Sequence, residues 1–583
     1  MAIENLITDH LDLWTAAVRP KSSAGRGSNS KLELTGIKKL RALILELAVR
    51  GKLVPQDPSD EPASVLLERI AAEKTRLVKE EGLRTSANEV VDIADEYIEC
   101  PSHWKWIRLG NIAKFIDYRG KTPNKIDAGV RLITAKNIRY GYIDLVPEEF
   151  ISEADYDQWM TRGFPRVGDT LFTTEAPLGN AAVIDINERF ALAQRAICFQ
   201  WHYSTVSRFM LIQILASPFQ NQLLDNSSGM TAAGVKASRL KEIPVVIPPA
   251  EEQQRIIAKV DELMALCDQL EQRSESQLAA HQTLVEALLA TLTDCADADE
   301  LAQNWARLSN HFDTLFTTEA SIDALKQTIL QLAVMGKLVP QDPSDEPASV
   351  LLERIAAKKA QLVKEKKIKK EKPLPAIGEN EKPFELPQGW VFERIAVFGL
   401  VGTGATPSRS NPAYWEPAEI NWVSSGETAE LFVGKTKEQI SNLAIKETNV
   451  SIYPAGTLIV AMYGQGKTRG QITELLEPAG TNQACAAIRL IDETKAHKDF
   501  VKLFFRKAYL ELREHAAGGA QPNLNVGKIA STVIPLPPIP EQHRIVAKVD
   551  ELMTLCDQLK ARLQTSQQTQ LALAESLVEG ALS

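Results

Sequence analysis

The stretch GKLVPQDPSDEPASVLLERIAA occupies residues 51–72, and the same 22 letters return unchanged at 336–357. Similar segments precede the two copies, KLRALILELAVR before the first and ALKQTILQLAVM before the second. A long internal repeat indicates the architecture of a protein, because each copy is expected to form the same structural unit. The sequence therefore predicts a duplicated molecule.

A second repeated segment completes the duplication. EQQRIIAKVDELMALCDQLEQR at 252–273 returns as EQHRIVAKVDELMTLCDQLKAR at 541–562. The two blocks that lie between a first and a second repeat, 104–245 and 390–533, show little similarity to each other. We interpret the chain as a duplicated frame that holds two different inserts.

Length and composition restrict the class of protein. A chain of 583 residues exceeds what one hydrophobic core holds, so several domains are expected. No apolar run approaches the roughly 18 residues of a membrane span, and the N-terminus lacks the basic region of a signal peptide. The six cysteines show no C-x-x-C pairing. These features predict a cytoplasmic protein with reduced thiols.

The net charge of −9 is distributed unevenly. The first insert has 17 Lys/Arg against 14 Asp/Glu, and the second has 15 against 14. The rest of the chain has 34 against 47, so the frame is acidic and the inserts are mildly basic. This segregation permits nucleic-acid contact by the inserts, although an ordinary solvated surface has a similar charge balance.

The frame has the pattern of helices. Apolar residues in the second repeat alternate in steps of four and three, which is the seam of a helix packed on another helix. The pattern continues to Leu292, so the first of these helices would exceed about 35 residues. We predict that the two copies pack antiparallel through equivalent seams, formed by Ile256, Val260, Leu263 and by Ile545, Val549, Leu552. Gly51 is predicted to end a helix ahead of a rigid turn, PQDPSDEP.

The inserts have the pattern of α/β domains. Each opens with a tryptophan-containing segment that follows a proline, CPSHWKWIRL in the first insert and LPQGWVFERI in the second. Short β-type runs follow, broken by Gly, Pro, Asn and Ser. The expected fold class is α+β, with two α/β insert domains joined by long antiparallel, coiled-coil-like helices in an internal pseudo-twofold repeat.

This pattern divides the chain into five segments. The helical segments are an N-terminal region with the first repeat at 39–80, a central region with its second copy at 324–365, and a C-terminal helix. The predicted bounds are 1–99 for the N-terminal region, 100–250 for the first insert domain, 251–372 for the central region, 373–540 for the second insert domain and 541–583 for the C-terminal helix.

Several segments resemble a known family. The frame segments GKLVPQDPSDEPASVLLERI and PPIPEQHRIVAKVDELM, and the insert segments GWVFERI, TPSRSNPAYW, INWVSSGE and GTNQACAAI, are similar to specificity subunits of type I restriction–modification enzymes. The resemblance covers nearly the whole chain. The N-terminal copy of the first repeat makes the chain similar to the longer, type IB form.

The resemblance implies a non-catalytic protein that binds double-stranded DNA. In that family the two inserts are target-recognition domains. Each recognition domain, 100–250 and 373–540 in this chain, would read one half of a split site, and the helices would set the distance between the halves. Two modification subunits would dock on the frame and methylate adenine N6 with S-adenosylmethionine. Restriction subunits would add cleavage that depends on ATP and Mg²⁺, so no cofactor is expected in this chain.

Candidate DNA-binding residues were chosen by side-chain type within predicted loops. Arg and Lys read guanine edges, Asn and Gln read adenine, and Lys, Arg, Ser and Thr contact phosphates. The candidates in the first insert are Arg119, Lys121, Thr122, Lys136, Asn137 and Arg139. Those in the second are Thr406, Ser408, Arg409, Ser424, Ser425, Lys467, Arg469, Gln521 and Asn523.

An alternative is a self-contained adenine-specific DNA methyltransferase. NPAYW at 411–415 is similar to the [DN]-P-P-[YFW] motif of amino-methyltransferases, but Ala413 replaces the second proline. YGQGKTRG at 463–470 is similar to a phosphate-binding loop, but the first glycine position holds Ala461. No catalytic triad or metal-ligand spacing is evident, so chemistry within the chain is disfavoured.

Overall fold

The computed structural model describes residues 3–20, 32–81, 91–92, 95–118, 123–228, 233–295, 298–370, 374–464, 468–515 and 524–582. The described residues form two compact units. The first unit contains those of 1–21, 31–276 and 567–583, and the second contains those of 277–566. Each unit holds one copy of the repeated frame and one insert.

The frame is helical, as its sequence period predicts. In the first unit it comprises α1 (Ile3–Thr8), α2 (Leu11–Ala16), the short strands β1 (Arg19–Pro20) and β2 (Leu32–Glu33), α3 (Thr35–Val49) and α4 (Ala63–Glu81).

The first insert adds β3 (Lys105–Arg108), α5 (Leu109–Ile112), β4 (Ala113–Asp117), β5 (Val130–Ile133), β6 (Phe150–Ile151), α6 (Glu153–Trp159), β7 (Thr170–Thr173), β8 (Ala181–Val183), β9 (Phe190–Leu192), β10 (Ala196–Trp201), α7 (Ser207–Leu215), α8 (Ser217–Asp225), α9 (Ala237–Glu242) and β11 (Pro244–Ile247).

A 44-residue helix, α10 (Ala250–Thr293), begins in the first unit and ends in the second. The frame of the second unit continues with α11 (Ala298–Asn310), α12 (Phe312–Leu315), α13 (Glu319–Val334) and α14 (Ala348–Lys364). The predicted length of the first frame helix, above about 35 residues, is confirmed.

The second insert comprises β12 (Val391–Arg394), α15 (Ile395–Phe398), β13 (Gly399–Thr403), β14 (Ile420–Val423), β15 (Phe432–Val433), β16 (Glu438–Ile440), α16 (Asn442–Glu447), β17 (Leu458–Ala461), β18 (Ile472–Leu475), β19 (Ala479–Thr481), β20 (Cys485–Leu490), α17 (Lys495–His515), α18 (Val526–Ser531) and β21 (Val533–Leu536). The chain closes with α19 (Ile539–Leu582), again 44 residues long, which begins in the second unit and ends in the first.

The two inserts share one topology, although their sequences show little similarity. The first has a β6-β5-β9 sheet, a β4-β10-β7-β8 sheet and a β3-β11 ribbon. The second has the equivalent β16-β14-β19 sheet, β13-β20-β17-β18 sheet and β12-β21 ribbon, with β15 as an additional edge strand. In each small sheet the middle strand pairs in parallel with its neighbour, β5 with β9 and β14 with β19. The duplication therefore includes the inserts.

Equivalent residues make equivalent contacts in the two units. Trp104 Nε1 donates to the buried Glu252 at 3.0 Å, and Trp390 Nε1 donates to the buried Glu541 at 2.9 Å. These two bonds anchor each insert to the first turn of a long frame helix. The glycine that ends α3, Gly51, has φ +66°, and a Cβ there would lie 2.5 Å from Pro101. The predicted helix end at Gly51 is confirmed, and its conformation explains the choice of glycine.

Contacts within the second unit fix the directions of its frame helices. Lys560 on α19 lies 3.3 Å from Asp323 on α13, and Lys326 pairs with Asp557, so these two helices are antiparallel. The last turns of α10 and α13 lie together, because Lys337 Nζ donates to Thr293 O at 2.7 Å. Nearer the N-terminal end of α10 in this unit, His281 contacts Thr314 O, which precedes α13 in the chain. The two contacts together show that α10 and α13 run in the same direction. Hence α10 and α19 are antiparallel within this unit, as predicted.

The predicted seam residues are buried or partly buried, but those of α10 belong to the first unit and those of α19 to the second. Ile256, Val260 and Leu263 are buried in the first unit. Ile545 and Val549 are buried in the second unit, in one core with Leu289 from the far half of α10, and Leu552 is partly buried against that core. Direct pairing of the two predicted seams stays a prediction.

Candidate nucleic-acid interface

Polar loops gather where the parallel strands of each insert end. In the first insert, the loop after β5 and the loop after β9 are joined by Ala193 N donating to Ile133 O at 2.8 Å. In the second, Asn482 N donates to Val423 O at 3.1 Å and joins the loops after β14 and β19. We call these surfaces the strand-end edges, formed by residues 134–139 with 193–195 and by residues 424–428 with 482–484. Because carboxyl ends of parallel strands meet there, loops distant in sequence lie side by side.

One turn is built alike at both edges. In the first insert, Asn137 Oδ1 accepts from Thr134 N at 3.0 Å and from Thr134 Oγ1 at 2.8 Å. In the second, Glu427 Oε2 accepts from Ser424 N at 2.8 Å and from Ser424 Oγ at 2.9 Å. A side chain that bonds the start of its own turn fixes the loop conformation. Asn137 and Glu427 thus have the same structural task.

This turn changes the interpretation of two candidates. Asn137 is 1% exposed, and its Nδ2 donates to Asp144 O at 2.9 Å and to Pro147 O at 3.1 Å. Its amide is therefore occupied within the loop and is not offered to a base edge in this conformation. The Ser424 hydroxyl is likewise engaged by Glu427. Both residues shape the edge, and their neighbours Lys136 (exposed) and Ser425 (partly buried) lie between the bonded ends of the turns.

Arg139 and Arg409 are both held by carboxylates. Arg139 Nη2 lies 3.3 Å from Asp144 Oδ2. The Arg409 guanidinium forms a two-point pair with Glu438, with Nη2 at 2.8 Å from Oε2, and its centre lies 4.0 Å from the centroid of the Trp415 ring. Glu438 raises the pKa of Arg409, and Arg409 in turn lowers the pKa of Glu438. A phosphate that approached Arg409 would compete with this carboxylate.

The remaining described candidates of the second insert lie around its strand-end edge. Thr406 Oγ1 donates to Gln483 Oε1 at 2.6 Å, which places the 404–410 loop on that edge. Ser408 Oγ shares a hydrogen bond with Ser410 Oγ at 2.8 Å. Arg469 lies two residues before Gln471, whose side chain accepts from Thr428 Oγ1 at 3.3 Å. The structure therefore places Thr406 at the strand-end edge beside Gln483, and Ser425 within that edge.

Six of the predicted residues lie outside the described residues. They are Arg119, Lys121, Thr122, Lys467, Gln521 and Asn523.

Two glutamines at equivalent positions were missed by the sequence reasoning. Gln194 and Gln483 are the second residues after β9 and β19, and both are exposed. Arg195, next to Gln194, has φ +71°, is exposed, and its Nε lies 3.6 Å from Glu175 Oε2. Glutamine amides hydrogen-bond adenine, and arginine reads guanine. The two glutamines stand in QRAI in the first insert and in QACA in the second, and their equivalence is recognised only when the strands are aligned.

Metal sites and membrane-spanning helices are absent from the part of the chain that the structure describes. No group of three or more His, Cys, Asp and Glu residues there has the geometry of a metal site. No described helix is long and apolar enough to cross a membrane.

The chain is similar to known proteins along its whole length. The family model described as "Type I restriction modification DNA specificity domain" matches twice, at residues 101–280 and 387–566. Over 100% of both chains, the protein is 40% identical to the EcoEI specificity subunit and 39% identical to the EcoAI specificity subunit, both type I restriction enzyme subunits of Escherichia coli. A solved structure concerned with assembly and conformational transition of the type I R-M system aligns with 83% of this chain and 98% of its own, at 16% identity and a TM-score of 0.48.

Proposed function

The chain belongs to the family of type I restriction–modification DNA specificity subunits, and we propose that each of its recognition domains reads one half of a split DNA site. As such a subunit the chain is the non-catalytic member of its complex. The observation that carries the proposal is that two inserts of one topology differ in sequence while the frame around them is repeated. A shared scaffold with different loops is what two independent readers of different sequences require.

We propose the strand-end edges as the surfaces that meet DNA. The basis is the set of polar side chains in the loops that follow these strands: Lys136, Gln194 and Gln483 are exposed, and Ser425 is partly buried. Arg139, Thr406, Ser408, Arg409 and Arg469 remain candidates beside them, as do the six candidates outside the described residues. Asn137 and Ser424 are proposed to act indirectly, by fixing the turn that carries Lys136 and Ser425.

We also propose that two modification subunits dock on the two copies of the first repeat. Eleven positions of the 22-residue repeat are exposed in both copies, among them Ser64 and Glu68 with their equivalents Ser349 and Glu353. In the adjoining segments 37–50 and 322–335, by contrast, seven of fourteen positions differ. Packing alone does not fix exposed side chains. One partner that binds twice explains why both surfaces are the same.

The further assignments rest on the family. S-adenosylmethionine, ATP and Mg²⁺ are proposed to be used by the modification and restriction subunits, not by this chain. The five-segment division is retained as a proposal, and so is a cytoplasmic location, where the DNA would be encountered. The N-terminal copy of the first repeat supports assignment to the type IB branch.

Domain exchange tests the proposed division of labour. Replacing residues 104–245 with the insert of a relative should change one half of the sequence that the assembled complex selects from random DNA. Replacing 390–533 is the matched control and should change the other half. If either exchange altered both halves, or neither, the two inserts would not be independent readers.

A further inference from the structure

A lysine-rich segment follows α14 in the second unit and is not accounted for by the functions above. Residues 364–370 read KEKKIKK, five lysines and one glutamate. All five lysines are exposed. Within the described part of the chain, Lys367 pairs with Glu365 at 2.9 Å, and the other four lysines form no ion pair. We call Lys364, Lys366, Lys367, Lys369 and Lys370 the lysine cluster.

The cluster is specific to one copy of the repeat. The two copies are identical up to residues 72 and 357, and then their charges diverge. The first copy continues as EKTRLVKEEG, whereas the second continues as KKAQLVKEKK. The frame as a whole is acidic, so a local surplus of positive charge is not a general property of its surface. A function that both copies of the repeat share does not explain why only the second copy is followed by this positive charge.

The backbone at Lys366, within the cluster, adopts a left-handed conformation that is unusual for a lysine. Lys366 has φ +54°, and Lys367 N donates to Leu362 O at 2.9 Å, which closes the end of α14. The left-handed position at such a helix end is usually glycine, and the chain uses glycine at the ends of α3 and α13. A residue held in that conformation despite its side chain points to a use for the side chain.

The cluster is fixed against the second recognition domain. Ahead of it, Lys358 Nζ donates to Ile491 O at 2.7 Å and Lys359 Nζ donates to Ala396 O at 2.6 Å. Behind it, Arg394 Nε donates to Pro375 O at 3.2 Å. Ile491 and Ala396, which accept the bonds from Lys358 and Lys359, lie at the end of the β13–β20 pair that is opposite the strand-end edge. At about 3.3 Å per residue, the five residues of β13 separate the two ends by roughly 17 Å.

We propose that the lysine cluster is a phosphate-binding site, which contacts the DNA backbone outside the base-reading surface of the second recognition domain. The ligand rests on the proposed function: exposed lysines, four of the five without an ion pair in the described part of the chain, bind polyanions, and the polyanion bound by a DNA specificity subunit is DNA. The distance from the strand-end edge separates the cluster from base reading. It adds affinity without sequence information, on one side of the complex only.

Salt dependence tests this site in the assembled complex. A variant with all five lysines replaced by glutamine should bind its recognised DNA more weakly. Its slope of log affinity against log salt should become less negative by about 0.9 for each phosphate that the variant no longer neutralises. Replacing the same lysines by arginine keeps the charge and should leave the slope unchanged. The DNA sequence selected from a random pool should be the same for all three proteins.

Several results would overturn the proposal. An unchanged slope in the glutamine variant would mean that the lysines do not meet phosphates. A changed recognised sequence would place them in base reading. Weaker binding of the modification subunit, with DNA affinity of the assembled complex unaltered, would make the cluster a protein contact instead.

Discussion

Arg409 shows how a single side chain is restrained on a surface proposed to meet DNA. Its guanidinium lies over Trp415 and is neutralised by Glu438. Replacing Glu438 by glutamine removes the carboxylate that pairs with Arg409 and releases the guanidinium for contact with phosphate. Because exposed ion pairs contribute about 0–1 kcal/mol, DNA affinity of the complex should rise by a few fold at most.

Arg409→Gln should lower that affinity, and the double variant should resemble Arg409→Gln alone. Fluorescence anisotropy with labelled DNA measures all three variants. If Glu438→Gln weakened binding instead, the carboxylate would be holding Arg409 in the orientation that DNA needs.

Residue type alone gave only part of the site. Loop composition correctly predicted that 134–140 is a polar loop, but not that Asn137 turns inward to bond Thr134. The direction of a side chain depends on the turn it closes, and Glu427 closes the equivalent turn with a different residue type. Gln194 and Gln483 were missed because their equivalence depends on the pairing of β5 with β9 and β14 with β19.

At the scale of elements, periodicity predicted the frame well and the inserts less fully. Helical spacing is a local property, so the sequence indicated both long helices. Strand pairing joins distant segments, and β14 with β19 is an example: their paired residues lie nearly 60 positions apart, as for Trp422 and Gly480. The shared topology of the inserts was therefore not visible in the sequences.

The repeated helices α4 and α14 carry the docking prediction. Glu68 and Glu353 are equivalent and exposed, so a lysine at either should repel a partner surface that accepts a carboxylate. Glu68→Lys or Glu353→Lys alone should reduce the bound modification subunits from two to one, and the double variant should bind none. Native mass spectrometry counts them directly.

Glu286→Lys makes the same charge change on α10 outside the repeats and should leave two subunits bound. Full occupancy in the double variant would mean that the identical repeats are not the docking surfaces.

For the whole molecule, we propose that the duplicated frame sets the distance between two independent readers. Both long helices pass from one unit into the other, α10 after Ser276 and α19 after Ser566. Four residues inserted at each of these points add about one turn, or roughly 6 Å. Since base pairs in DNA are stacked about 3.4 Å apart, the spacer should grow by one to two base pairs.

The most direct measurement is selection of recognised DNA from a random pool by the assembled complex, with the original and the lengthened chains compared. The prediction is that both half-sites stay the same and that the unspecified spacer between them becomes longer by one to two base pairs. A folded, DNA-binding variant that selected the original spacer, or altered half-sites, would contradict the claim that the helices set this distance.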